Sequence, residues 1–182
     1  QNTSGTSVGV SASPMTNCVS VLGGAIFAGH LPSGAMPVLN NVRIDGRAEV
    51  TGGTRYGLNA SSAGNILNRV TVIGCVGGGV VCAGGSTTRY SDLYRCLIVD
   101  CGNYGIKANG QASQTVYHTF ENNVVVNCGT GIDGNTNARL ILSNNRLRDN
   151  STANYANTNN ANTSFGYTTD SDDTTEFVDA SG

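Results

Sequence analysis

Phe120-Glu-Asn-Asn-Val-Val-Val-Asn-Cys128 and Leu142-Ser-Asn-Asn-Arg-Leu-Arg-Asp-Asn150 are two copies of one pattern, and that pattern decides the fold. Working back along the chain, Leu93–Cys101 (LYRCLIVDC), Leu67–Cys75 (LNRVTVIGC) and Leu39–Arg47 (LNNVRIDGR) fit the same frame, with successive starts 28, 26, 27 and 22 residues apart. Aligned this way, the copies form columns. Large apolar residues (Leu39, Leu67, Leu93, Phe120, Leu142) open each one. Three places later stand Val42, Val70, Cys96, Asn123 and Asn145, and two further on Ile44, Val72, Ile98, Val125 and Leu147. A glycine and an apolar residue then begin a second strand-sized segment: Gly57-Leu58, Gly79-Val80, Gly105-Ile106, Gly131-Ile132.

A period of this length signals a solenoid. The segments are strand-sized, broken by Gly and Asn, and none carries ten residues at helical period, so the helical solenoids are excluded. What remains is an all-β coil whose turns stack about 4.8 Å apart and place equivalent side chains in ladders. Asn123 and Asn145, adjacent in one column, are expected to bond to each other along the axis. About five to six coils are expected over residues 14–150. Residues 1–13 read as a strand or N-terminal arm, and 151–182, rich in Asn, Thr and Ser and then acidic, as an irregular polar loop or cap with one strand at Thr175–Asp179.

Composition narrows the function. In 182 residues only 12% are charged, the net charge is −2 and Lys107 is the one lysine, so no basic patch exists for phosphates. Nucleic acid and anionic membranes are poor partners. No apolar run reaches the roughly 18–20 residues of a membrane span, so no membrane insertion is expected, and the first residues lack the charged and apolar regions of a secretion signal. Of the six cysteines, Cys75, Cys101 and Cys128 share a column and Cys96 stands where Val70 stands one coil before. They read as free, buried small hydrophobes. No Cys-x-x-Cys pair supports a metal ribbon, and no cofactor or metal is expected.

The columns, the Asn-Asn-x-apolar openings and the Gly-Ile steps resemble the right-handed parallel β-helix superfamily of pectate-lyase-like enzymes and phage tailspikes, over residues 39–150. The resemblance implies a right-handed coil. It also implies either a structural or adhesive module of a surface or virion assembly, extracellular in location, or a polysaccharide lyase or glycoside hydrolase. The superfamily's enzyme signatures are not in these coils: there is no cluster of aspartates for calcium, no Gly-His-Gly and no Asp-Asp pair. Asp170, Asp172 and Asp173 have the carboxylate density of a loose calcium site but read better as a solvated tail.

Three sets of residues are candidates for function. Alternation sends Thr71, Ile73, Leu97, Val99, Val124 and Val126 outward, an apolar strip between Arg43 and Asp45 on one side and Arg146 and Arg148 on the other. Such a strip is either a subunit interface, Ile73, Leu97, Val99, Val124 and Val126 meeting a second copy in a side-by-side homotrimer, or the resting place of the tail. Asp100 and Asp149 share a column two coils apart, at the upper edge of the separation inverting glycosidases use. Both are also ordinary turn residues. Arg55, Tyr56, Arg89, Tyr90, Asp92, Tyr117 and His118 lie between coils, where guanidinium planes and aromatic faces suit a polysaccharide. Lys107 and Asp133 occupy equivalent outward sites and read as a weak surface pair.

Overall fold

The computed structural model describes residues 38–47, 56–59, 65–82, 90–110, 117–134 and 138–156 in full, and the course of short strands at 8–9, 15–16, 19–22, 26–27, 163–165 and 169–170. The chain is a parallel β-solenoid with three seven-stranded sheets. Sheet I stacks β2 (Met15–Thr16), β5 (Val38–Asn40), β8 (Asn65–Asn68), β11 (Ser91–Tyr94), β14 (His118–Glu121), β17 (Leu140–Ser143) and β20 (Thr163–Phe165). Sheet II stacks β3 (Val19–Leu22), β6 (Arg43–Asp45), β9 (Thr71–Ile73), β12 (Leu97–Val99), β15 (Val124–Val126), β18 (Arg146–Arg148) and β21 (Thr169–Asp170). Sheet III stacks β1 (Val8–Gly9), β4 (Ile26–Phe27), β7 (Tyr56–Asn59), β10 (Gly78–Cys82), β13 (Tyr104–Ala108), β16 (Thr130–Gly134) and β19 (Ala153–Ala156). Each coil visits the sheets in the order I, II, III.

The registers are those of the sequence columns. Leu39 pairs with Leu67, Leu67 with Leu93, Leu93 with Phe120 and Phe120 with Leu142, all fully buried. Ile44, Val72, Ile98, Val125 and Leu147 line the facing sheet at 0% exposure. Asn123 and Asn145 form the expected ladder: the Asn123 Nδ2 donates to Asn145 Oδ1 at 2.9 Å and to the Leu93 carbonyl at 3.0 Å. Asn145 Nδ2 donates to the Phe120 carbonyl at 2.8 Å, and Asn123 Oδ1 accepts the Cys96 amide at 2.9 Å. Both amides are thus buried without loss of partners, which is the condition for polar groups in a core.

Two corners recur among the described residues, the second from Gly74 onward. Between sheets I and II the chain turns at Asn41, Arg69, Arg95, Asn122 and Asn144, and between II and III at Gly74, Asp100, Asn127 and Asp149, all with φ between 52° and 69°. One left-handed residue swings the strand direction, and the next residue points into the core. Asn, Asp and Gly tolerate this conformation, whereas Arg69 and Arg95 pay a conformational cost there.

The glycines that begin the sheet III segments have a different cause. A methyl group built on Gly105 would lie 2.2 Å from Val125 Cγ1, and one on Gly57 would lie 2.3 Å from Val72 Cγ1. Sheet III therefore approaches sheet II so closely at this column that no side chain fits. Variation in repeat length sits in the connections, with residues 109–117 joining β13 to β14 but only 135–139 joining β16 to β17.

The structure departs from the sequence reading past residue 150. At the other end β1, within the segment read as a strand or arm, pairs with β4. Strands β19, β20 and β21 carry the three sheets past residue 150, through the segment read as irregular. The Asn-, Thr- and Ser-rich sequence around these C-terminal strands hides them. The strand expected at Thr175–Asp179 lies outside the described residues. Five cysteines, Cys75, Cys82, Cys96, Cys101 and Cys128, are free and buried, as expected.

Gly105→Ala will lower stability by about 1–3 kcal/mol through overpacking against Val125. Arg95→Asn will raise it by about 1 kcal/mol by relieving the left-handed corner. Urea midpoints at constant slope for the two variants check both signs.

Candidate functional site

Because inward positions are committed to the core, chemistry is free to vary only on the outward faces. On sheet II the registers Thr71↔Leu97↔Val124 and Ile73↔Val99↔Val126 assemble the expected strip, with Leu97 39% exposed and its neighbours half-buried by one another. Arg146 and Arg148 continue the two columns on β18. Together with Leu97, Val99, Val124 and Val126 they line a shallow depression. At the other end Asp45 is buried, accepts from Arg43 Nη2 at 3.1 Å and is clasped by Arg47, whose Nε lies 2.9 Å away. The Arg47 hydrogen bonds, assisted by Arg43, hold the Asp45 carboxyl well below the usual carboxylate range against the opposing effect of burial. Of the tail, the other reading for this strip, Ala153–Ala156, Thr163–Phe165 and Thr169–Asp170 are strands of the stack, and Phe177 lies outside the described residues.

The outward face of sheet I carries a second feature. Asn40, Asn68, Tyr94 and Glu121 succeed one another on neighbouring strands, and with Ile66, Arg95 and Asn122 they line an open groove of about 330 Å³. Asn68 Nδ2 donates to Asn40 Oδ1 at 3.3 Å. Beside the groove Asp92 accepts the Thr119 amide at 3.2 Å and bonds the Tyr94 side chain. Burial raises the Asp92 carboxyl above its ordinary range, outweighing the Thr119 and Tyr94 hydrogen bonds. Burial, followed by the charges of Asp92 and Glu121, likewise raises the Tyr94 phenol. Asp92 was identified from sequence as a loop residue; Tyr94, Glu121, Asn40 and Asn68 were not. The signal was present, one place after the large apolar column, as the outward series Asn40, Asn68, Tyr94, Glu121.

The remaining sequence candidates are dispersed. Arg55 and Arg89 lie outside the described residues, as do Asp172 and Asp173. Tyr56 is on sheet III, stacked on Tyr104 with ring centres 5.9 Å apart, and so is remote in kind from Tyr90, Asp92 and Tyr117 at sheet I. Tyr90 is half-buried at the approach to β11, and its carbonyl accepts the Asn65 amide at 3.0 Å. Tyr117 is 40% exposed, with the Arg139 guanidinium 6.0 Å above its ring. Lys107 and Asp133 face each other across β13 and β16, with the Lys107 ammonium 5.1 Å from the Tyr104 ring centre.

His118 requires correction. It opens β14 and is fully buried, stacked on Phe120 at 6.3 Å, so it is closed to a ligand. Its Nδ1 accepts the Ser91 amide at 2.9 Å, so the ring proton sits on Nε2 and is donated to the Asn109 carbonyl at 3.1 Å. Burial pushes its pKa down to about 4, with the Asn109 bond opposing. The sequence suggested a loop because Tyr-His precedes the apolar column.

Asp100 and Asp149 hold left-handed corners at φ of 54° and 55°. Asp100 Oδ1 accepts from Asn127 Nδ2 at 2.6 Å, and Asp149 Oδ2 lies 3.4 Å from Arg148 Nε. Both are exposed, and the corner conformation accounts for their residue type.

No family model, curated protein or solved structure matches the chain. The class the fold defines is a parallel β-solenoid with two chemically distinct outward faces, one apolar and one a polar groove.

His118 sets a pH dependence. Above 6.5 it is neutral folded and unfolded and contributes no slope. Between 6.5 and about 4 the unfolded chain binds a proton that the folded chain refuses, so stability falls as pH falls, by at most about 3 kcal/mol. Urea unfolding of wild type and His118→Gln across pH 4–7 will show this component of the slope in wild type alone.

Proposed function

We propose that the protein is a rigid, non-enzymatic module that associates with a second copy of itself through the outward face of sheet II, as part of an extracellular, cell-surface or virion assembly. One observation carries this reading: the strip of Thr71, Ile73, Leu97, Val99, Val124 and Val126 is apolar at five of six outward positions over three stacked coils, and Leu97 remains 39% exposed. Core packing does not require that composition, and a contiguous apolar face costs free energy in water unless a partner covers it.

Charge does not fix the relative direction of the two copies. With axes antiparallel, Asp45 stands opposite Arg148 but Arg43 opposite Arg146; with axes parallel, Arg43 stands opposite Asp45 but Arg146 opposite Arg148. The likeness of the columns to pectate-lyase-like and tailspike proteins supports a surface role of this kind.

A second reading has its own observation. The sheet I groove combines side-chain amides, a tyrosine ring and a carboxylate along the axis, a set suited to sugar hydroxyls and apolar sugar faces, so glycan contact accompanies assembly. The lyase or hydrolase reading now rests on the family likeness alone.

Light scattering will give a mass of two chains for wild type and of one chain for the Leu97→Glu, Val124→Glu double variant, with unchanged circular dichroism. A single-chain mass for both proteins would exclude self-association. Binding to a glycan panel is expected to weaken in Tyr94→Ala and to be unchanged in the double variant.

A further inference from the structure

Cys75, Cys101 and Cys128 follow the II-to-III corner in three consecutive coils. Each thiol points the same way, toward the carbonyl two residues before it, at 3.8 Å for Cys75 and 3.4 Å for Cys101 and Cys128. With the same orientation on in-register strands, the sulfurs repeat at the strand spacing of about 4.8 Å. Cys101 interacts with the thiols on both sides of it. The column faces the glycines of sheet III, since a methyl on Gly57 would come within 3.2 Å of Cys75 Sγ and one on Gly105 within 3.4 Å of Cys128 Sγ. At 2–3% exposure the thiols lie just beneath a corner whose own residues Val76, Gly102 and Asn127 are exposed.

Three chemistries use neighbouring thiols, and the spacing separates them. A disulfide needs Cβ atoms about 3.8 Å apart, so oxidation would have to draw two rungs together by about 1 Å. Tetrahedral zinc needs four ligands, and among the described residues no three His, Cys, Asp or Glu side chains converge on one point. A two-coordinate ion in line between two sulfurs, at metal–sulfur bonds of about 2.3 Å, spans about 4.6 Å, close to the ladder repeat. Soft thiolate ligands select soft ions.

We propose that this column binds one soft, two-coordinate metal ion of the copper(I), silver(I) or mercury(II) type, held between Cys101 and one of its two neighbours. Cys101 belongs to both pairs and serves one at a time, so the column takes a single ion. The exchange balances without an oxidant. A univalent ion displaces one S–H proton to solvent and keeps the second sulfur as a neutral thiol donor. A divalent ion displaces two protons and leaves a neutral bis-thiolate. In either case no net charge is buried, which the apolar surroundings require. The bound ion clamps two adjacent coils.

The test uses the reduced full chain, silver ion as probe and excess glutathione as competitor, with the retained metal counted by native mass spectrometry and proton release followed by pH-stat. Wild type is expected to retain one silver ion, release one proton and melt at a higher temperature. With mercuric ion, two protons leave. Cys101→Ala should retain none, Cys75→Ala and Cys128→Ala should each retain one, and the Cys75→Ala, Cys128→Ala double variant none. Cys82→Ala, altered in a different column, should bind as wild type does. Retention by Cys101→Ala, two ions in wild type, or loss in Cys82→Ala would overturn the proposal. Should Cys101→Ala fail to fold, the double variant beside its two single variants decides alone.

Discussion

Parallel pairing at a fixed repeat is the constraint on which everything else in this molecule depends. Once one coil's backbone hydrogen-bonds to the next, each side chain stands about 4.8 Å from its equivalent, and each column must tolerate its own repetition. Leucine, isoleucine and valine stack without penalty. Asparagine does so only because its amide offers both a donor and an acceptor along the axis, as Asn145 and Asn123 do. The column then ends correctly at Cys96, whose amide is capped by Asn123 Oδ1 and whose thiol donates to the Leu67 carbonyl at 3.7 Å. Corners repeat too: between sheets I and II a left-handed residue recurs from Asn41 to Asn144, even where the sequence supplies arginine.

The same constraint explains how much could be read from sequence. Inward columns were legible because burial restricts each to a few residue types, and a restriction repeated five times is a strong pattern. The glycine column was visible too, although its cause was not. That Gly105 is excluded from having a side chain by Val125 is a fact about the distance between sheets, which no single strand encodes. Strands β19 to β21 were missed because they are short and lie in an Asn-, Thr- and Ser-rich stretch without the repeated columns.

The site residues were less legible for a physical reason. Surface columns are free of the packing constraint, so their residues vary and no repetition announces them. The sheet II strip could be read because it is apolar where polar residues are ordinary. The sheet I groove could not, because Asn40, Asn68, Tyr94 and Glu121 each look like an unremarkable exposed residue until register aligns them. His118 erred in the opposite direction. A titratable residue before an apolar column suggests a loop, yet its ring fills an inward position by accepting one backbone hydrogen bond and donating another.

Freedom on the outside makes outward composition informative. A solenoid needs nothing from its outer faces except solubility and hydrogen-bonded strands. When three successive coils place apolar residues at five of six outward positions on sheet II, and the flanking coils return to charge, the boundary is set by something other than the fold. The arginines reinforce this. Arg146 and Arg148 lie in the same two columns as Val124 and Val126, so those columns accept a charged residue in this very backbone. The valines are therefore not there because the strand requires them. On the proposed self-association, the partner's surface ends where the charges begin, which accounts for both the strip and its edges.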